Sequence, residues 1–462
     1  MRLGCIADDF TGATDLANNL VRAGMRCVLT NGVLSSGVLS SGVLSNGVPE
    51  LNRASDRFDT ADTDAIVVAL KSRTIVASDA IAQSLAALAW LKERGAQQIY
   101  FKICSTFDST DQGNIGPVTE ALMDAVGSDF AIACPAFPEN KRTIFKGYLF
   151  AGDGLLNESG MQNHPLTPMS DANLVRVLQR QSRRKVGLID YSVVARGAAA
   201  IRQRVAQLRT DGYGLAIVDA ISNDDLMQLG QALADMPVVT AGSGVAIGLP
   251  QNFGLAPSAQ AALLPASPGR RAIVSGSCSL ATLAQVAAYR DSGEPSFQID
   301  AADLLDGHAG DGKRLAHSEQ QRIQALVSKA LAWYHGQPQH SAPLFYSSAA
   351  ADQVRSVQQQ LGVAKAGYLI EQVLANIALA LVRSGVRQLL VAGGETSGAV
   401  VQTLAVQQLR IGPQIDPGVP WCATQIEASA GQWLQLALKS GNFGSTDFFQ
   451  KAWSVKTLTV YS

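Results

Sequence analysis

Leu3-Gly4-Cys5-Ile6-Ala7-Asp8-Asp9-Phe10-Thr11-Gly12-Ala13-Thr14-Asp15 stands at the start of the chain. Leu3 to Ala7 is an apolar run long enough for one buried strand. Asp8 and Asp9 sit side by side past its C-terminal end. Thr11-Gly12 is expected to make the turn, and Ala13 to Ala23 reads as a helix closed by Gly24. In an open parallel sheet, ligands bind at the carboxyl ends of the strands. Two carboxylates and a helix N-terminus placed there suit a polyol, a Mg²⁺ ion or a proton in transit. An Asp at such a turn also serves as a plain helix cap.

The same strand-then-helix rhythm continues outward. Strands are expected at Cys27 to Thr30, Ala65 to Leu70, Ile99 to Ile103, Phe130 to Cys134, Val186 to Asp190 and Leu215 to Asp219. Helices are expected at Ser78 to Arg94, Ala195 to Leu208 and Asp224 to Leu233. Alternation of this kind builds a mostly parallel sheet. Polar groups gather past the strand ends. Lys71-Ser72-Arg73-Thr74 offers two cations to a carboxylate or phosphate, or forms a solvated basic turn. Lys102 precedes the hydroxyl-rich run Cys104 to Thr110, then Gly113-Asn114-Ile115-Gly116-Pro117. Lys141 and Arg142 follow the fifth strand. Asp153 to Asp171 reads as a covering loop, in which His164 is a structural hydrogen-bonder before it is a ligand contact.

Residues 250–271, rich in Pro, Ala, Ser and Gln, read as a linker, and the pattern then restarts. Strands are expected at Ala272 to Ser275, Leu344 to Ser347, Leu389 to Ala392 and Leu434 to Leu438. Gly276-Ser277-Cys278-Ser279, Gly393-Gly394-Glu395-Thr396-Ser397-Gly398 and Ser440-Gly441-Asn442-Phe443-Gly444 follow three of them. Small residues with free backbone N–H groups at such turns suit a nucleotide's phosphates. Gly-x-x-x-x-Gly-Lys-Ser/Thr is absent, and no Gly-x-Gly-x-x-Gly follows the first strand. One tract breaks the rhythm. Gly-Val-Leu-Ser-Ser/Asn repeats with a period of five between Gly32 and Gly47, and it reads as an expanded loop.

Bulk properties narrow the class. At 462 residues, with 47% apolar residues, the chain fits two domains with full cores. Charged residues are 16% and the formal net charge is −1, so neither nucleic acid nor an anionic membrane is an expected partner. No run is read as a membrane span or a signal peptide. The six cysteines form no Cys-x-x-Cys pair, which fits free thiols in a reducing cytoplasm rather than disulfides or a zinc site.

Five motifs, in this order, resemble one family, the four-carbon acid sugar kinases. They are Ala7 to Asp15; Lys102 to Thr110 with Gly113 to Pro117; Ser275 to Ser279; Gly393 to Gly398; and Leu438 to Gly444. The resemblance extends over nearly the whole chain. The repeat departs from the pattern, since in relatives Asn-Gly-Val-Pro follows the second strand directly. Lys141 stands where relatives often have Gly.

The resemblance implies an α/β protein of two domains, each with a mostly parallel sheet flanked by helices, and a ligand cleft between them. An acid-sugar-binding domain would span 1–249 and a nucleotide-binding domain 272–462. ATP, with Mg²⁺, would phosphorylate the O4 hydroxyl of a four-carbon acid sugar. A 3-oxo-tetronate is the first choice, and threonate or erythronate the alternatives. A non-catalytic small-molecule binding protein is the reading from another class. Asp9, Asp8 and Asp108 are the candidate catalytic residues, Asp9 favoured as base. Thr11, Lys71, Arg73, Lys102, Ser109 and Arg142 are the candidates for the acid sugar. Ser275, Gly276, Ser277, Gly393, Gly394, Glu395, Thr396, Gly441 and Gly444 are the candidates for ATP. No metal ligand is assigned, and a homodimer is admitted.

Overall fold

A computed structural model of the chain describes residues 1–32, 62–107, 110–163, 167–300, 303, 319–347, 363–455 and 459–460. Most of the pentapeptide repeat, Asp108, Ser109 and His164 lie outside the described residues. The chain forms two compact units, Met1–Ala261 and Ala262–Ser462. Residues 250–261 therefore go with the first unit and 262–271 with the second.

The first unit runs β1 (Leu3–Ala7), α1 (Phe10–Arg22), β2 (Cys27–Asn31), β3 (Ala65–Ala69), α2 (Ala77–Glu93), β4 (Gln98–Lys102), α3 (Ile115–Val126) and β5 (Ala131–Cys134). It continues through β6 (Arg142–Phe145), β7 (Tyr148–Ala151), β8 (Gly154–Leu155), α4 (Leu174–Gln181), β9 (Val186–Ile189), α5 (Tyr191–Val194) and α6 (Ala198–Thr210). β10 (Leu215–Val218), α7 (Asn223–Ala232) and β11 (Val238–Ala241) complete its sheet. The order is β2-β3-β1-β4-β11-β5-β10-β9, and each neighbouring pair is parallel. β1, β3 and β4 are buried at every residue; β1 and β3 are continuous apolar strands, and β4 buries Gln98 and Lys102 at its two ends.

β1 leads past β3 to β2, whereas β3 leads past β1 to β4. The two connections run in opposite directions, so right-handed crossovers place α1 and α2 on opposite faces. The carboxyl end of β1 is thus a topological switch point, where α/β sheets bind ligands. Register aligns the strand ends: Ala7 pairs with Ala69 on one side and Lys102 on the other, and Lys102 pairs with Ala241.

Two sequence expectations change here. α1 begins at Phe10, not Ala13, because Asp9 caps it: its Oδ1 accepts the Gly12 N–H at 3.1 Å. Thr11-Gly12 is therefore first-turn helix. The segment from Arg142 to Leu155 forms a three-stranded antiparallel sheet, β6-β7-β8, that the turn-rich composition concealed. Buried Asp219 fixes its turn by accepting the N–H groups of Lys146 and Gly147 at 2.7 and 2.8 Å.

The second unit contains β12 (Leu264–Pro265), β13 (Arg270–Ser275), α8 (Leu280–Asp291), β14 (Ser296–Gln298), α9 (Glu319–His335), β15 (Leu344–Tyr346), β16 (Val386–Ala392), β17 (Gln408–Asp416), β18 (Val419–Gln425) and β19 (Trp433–Lys439). β14-β15-β13-β16-β19 are parallel, and β18 and β17 extend the sheet antiparallel. Tyr289, Trp421, Phe448 and Phe449 anchor a core on one face. Helix Val363–Arg383 packs against α9, β16 and helix Gly394–Thr403. Its segment Lys365–Arg383 is long and apolar enough to cross a membrane by length and composition alone, and half of it is buried, as in a core helix. None of the six cysteines forms a disulfide, and Cys5, Cys27, Cys134 and Cys422 are buried.

Candidate active site

At the switch point of the first unit the side chains form a charged cluster. Arg73, on the loop after β3, grips Asp8 with two parallel bonds: Nε to Oδ2 and Nη2 to Oδ1, each 2.9 Å. Its Nη2 also donates to Asp9 Oδ1 at 2.5 Å. The loop is held from beneath, since Asn114 Nδ2 donates to the carbonyls of Ser72 and Ile75 at 2.7 and 2.9 Å. Asp8 is buried, and burial raises its pKa while Arg73 pulls it back. Burial likewise opposes the Arg73 charge, but Asp8 and Asp9 outweigh it and the guanidinium is held more firmly protonated than usual.

Asp9 is the more open of the pair, with its side chain 30% exposed against 6% for Asp8. Its Oδ1 carries both the helix cap and the Arg73 bond, and no hydrogen bond falls on Oδ2 among the described residues. Lys102 is buried with its ammonium donating to the Ile103 carbonyl at 2.7 Å. A Cβ on Gly12 would lie 2.8 Å from that ammonium, so a side chain there would have to push the ammonium aside. Asp15, one turn further along α1, accepts from Ser243 Oγ, and its Oδ1 is buried without a partner among the described residues. Burial raises the Asp15 pKa, offset by Lys102 and by the Ser243 hydroxyl.

In the second unit, register sets three turns side by side. Ser275 pairs with Ala392, and Ala392 with Lys439, so the turns after β13, β16 and β19 leave the sheet at one level. Gly393 has φ +125°, and a Cβ there would lie 2.8 Å from Thr396 Oγ1 and 3.2 Å from the Ser277 nitrogen. A Cβ on Gly441 would lie 2.6 Å from Ser277 Oγ. Around Gly394 nothing lies within 4 Å of such an atom. Ser279 caps α8 through the Thr282 N–H at 3.2 Å, and Gln285 Nε2 ties down the carbonyls of Phe443, Gly444 and Ser445 at 2.9–3.0 Å.

The family description "Sugar-binding N-terminal domain" matches residues 3–249, and "Nucleotide-binding C-terminal domain" matches 272–449. Together these cover most of the chain. The chain belongs to the four-carbon acid sugar kinase family. Within it, the chain is 54% identical to a Cupriavidus necator protein named 3-oxo-tetronate kinase, over 97% of this chain and 96% of the other. A Burkholderia multivorans protein of the same name is 55% identical, over the same shares. The crystal structure of a Haemophilus influenzae protein, 42% identical, superposes with a TM-score of 0.78 over 98% of this chain and 99% of that one.

The sequence-based candidates of this family member sort by place. Asp8, Asp9, Arg73 and Lys102 meet at the switch point. Thr11 lies on the exposed first turn of α1 and Lys71 is exposed beside the loop. Arg142 bonds the carbonyls of Asn140 and Lys141, at 3.1 and 3.3 Å, outside that cluster. Arg73, expected to hold a substrate carboxylate, donates from Nε and Nη2 to Asp8 and Asp9. Ser275 is the last residue of β13, and Gly276, Ser277, Gly393, Gly394, Glu395, Thr396, Gly441 and Gly444 fall on the three aligned turns or the helices they open. Asp15, Ser243, Asn114 and Lys439 are features the residue-by-residue reading passed over. A lysine closing an apolar strand, as Lys439 does, is a signal that sequence offers.

Proposed function

We propose that this chain transfers the γ-phosphoryl group of ATP to the O4 hydroxyl of 3-oxo-tetronate. The observation that carries the reading is identity above one half, across nearly the full chain, to two proteins named 3-oxo-tetronate kinase. The first unit supplies the acid-sugar site and the second the nucleotide site. Phosphoryl transfer asks a protein mainly for positioning and for neutralisation of charge, and the two sets of strand ends suit those tasks.

Asp9 acts as the base or hydroxyl-orienting group. Its Oδ2 takes no hydrogen bond among the described residues, while Oδ1 is fixed by the helix N-terminus and Arg73, which keeps the carboxylate in one orientation. Asp8 serves as the anchor of Arg73 rather than as the base, being buried and doubly bonded. Lys102 contributes positive charge next to Asp15 and Asp8. The Gly393-Gly394 turn, opening helix Gly394–Thr403, and the Ser277 and Gly441 turns cradle the phosphates with backbone donors.

Mg²⁺ fits this arrangement as a passenger of the nucleotide. No cluster of three His, Cys, Asp or Glu is found among the described residues. Glu395 follows the glycine pair, and Glu371 is near enough that, after burial, its charge raises the Glu371 pKa. One or two carboxylates plus phosphates and waters are what Mg²⁺ ordinarily takes. When bound it would neutralise phosphate charge. The test is a screen of four-carbon acid sugars with purified protein and ATP, following ADP release. 3-Oxo-tetronate is expected to give the highest kcat/KM; preference for a threonate or erythronate would overturn the substrate assignment, and no turnover with any acid sugar would overturn the activity.

A further inference from the structure

We infer that Lys439 is a positioning residue of the nucleotide site, the cation that locks the Ser440-Gly441 turn onto the first turn of α8. The inference rests on the ATP reading of the three turns given above. Lys439 is the last residue of β19 and is fully buried. Its ammonium donates to Thr282 Oγ1 at 2.9 Å, to the Ser440 carbonyl at 3.0 Å and to the Gly441 carbonyl at 3.2 Å. An ammonium has three donors, and here each finds an acceptor.

The acceptors are themselves joined. Thr282 Oγ1 donates to the Gly441 carbonyl at 2.8 Å, and Ser279 Oγ donates to the same oxygen at 2.5 Å. Lys439, Thr282 and Gly441 therefore close a ring that links strand end, turn and helix N-terminus. Carbonyl oxygens repel a phosphate, and the buried ammonium engages two of them at the turn. It also brings positive charge beside backbone donors in a chain that lacks the lysine of a P-loop. Burial lowers the Lys439 pKa to about 8, so the fold accepts a cost to keep this group where it is.

Full-length Lys439→Met and Thr282→Val decide the matter, with ATP affinity measured by calorimetry, KM for each substrate, and melting. Thr282→Val keeps the buried shape and breaks the ring. Lys439→Met is expected to weaken ATP binding about tenfold or more, the range for a charge-assisted contact, and to leave the acid-sugar KM within about twofold. Thr282→Val is expected to move ATP affinity the same way by a smaller factor, with melting lowered because the buried ammonium loses one acceptor. The double variant should be little worse than Lys439→Met alone, since both remove one ring. Normal ATP affinity in folded Lys439→Met, or in Thr282→Val should the first not fold, overturns the inference while leaving the kinase reading intact. Equal losses for both substrates would also overturn it, as a general structural strut. Failure of the wild-type protein to bind ATP would overturn both.

Discussion

Replacing Asp9 by Asn removes one negative charge and keeps the side chain's shape. The amide oxygen can still accept from Gly12 at 3.1 Å and from Arg73 at 2.5 Å. Asn caps a helix about as well as Asp. The lost charge costs about 0.3–1 kcal/mol against the helix dipole. The half-open pair with Arg73, whose side chains are 22% and 30% exposed, contributes at most about 1 kcal/mol more. Stability should therefore fall by about 0.3–2 kcal/mol, no more than about 8 °C in Tm for a unit of this size. Turnover should fall much further. Loss of a positioned base lowers kcat by about 10²-fold or more, about 2.7 kcal/mol in the barrier. The assay follows ADP release from ATP and 3-oxo-tetronate, with ATP affinity measured separately and expected to be unchanged. A folded Asp9→Asn protein with kcat within about threefold of wild type would refute the base assignment and move attention to Asp108. A pure cap residue would show the melting change alone.

Arg73→Met should leave the buried Asp8 carboxylate unpaired and cost about 3–5 kcal/mol in chemical denaturation; a loss below 1 kcal/mol would mean Arg73 is available to a ligand rather than committed to the cluster. Gly394→Val should leave Tm unchanged, since its added atoms enter open space, and should raise the ATP KM about tenfold by occupying the approach to the turn; an unchanged KM would remove Gly394 from the site. Lys439 titrates near pH 8 in the fold and near 10.5 unfolded. Between those values the unfolded chain binds the extra proton, so this group's contribution to stability rises with pH. Wild-type stability relative to Lys439→Met should rise by up to about 3 kcal/mol from pH 8 to 10.5, and a flat difference curve would refute the burial argument.

Most of the architecture was legible because buried parallel strands announce themselves. Leu3 to Ala7, Val186 to Ile189 and Leu215 to Val218 are short apolar runs bounded by polar turns, and the observed strands fall on them within a residue. The β6-β7-β8 sheet was hidden because its strands are short, partly exposed and joined by tight turns. The β17-β18 hairpin was passed over between better-marked elements. The start of α1 was misplaced by three residues because Asp9 is at once a site candidate and a cap, and Gly12 looks like a turn until the packing of Lys102 against it is seen.

Sequence by itself determined which chemistry is present. It put carboxylates and cations past the early strands and glycine turns past the late ones, because buried strand interiors favour apolar side chains and charged groups are most easily satisfied at or beyond the strand ends. It could not decide who pairs with whom. Arg73 and Asp8 are 65 positions apart, and only the parallel register of β1 with β3 makes them a bidentate pair. Lys439 and Thr282 are 157 positions apart and meet because β13, β16 and β19 end at one level. Pairing across a sheet depends on strand order and register, which are set by the packing of the whole unit. The sequence could therefore name Arg73 as a cation but not show that its partners lie within the protein.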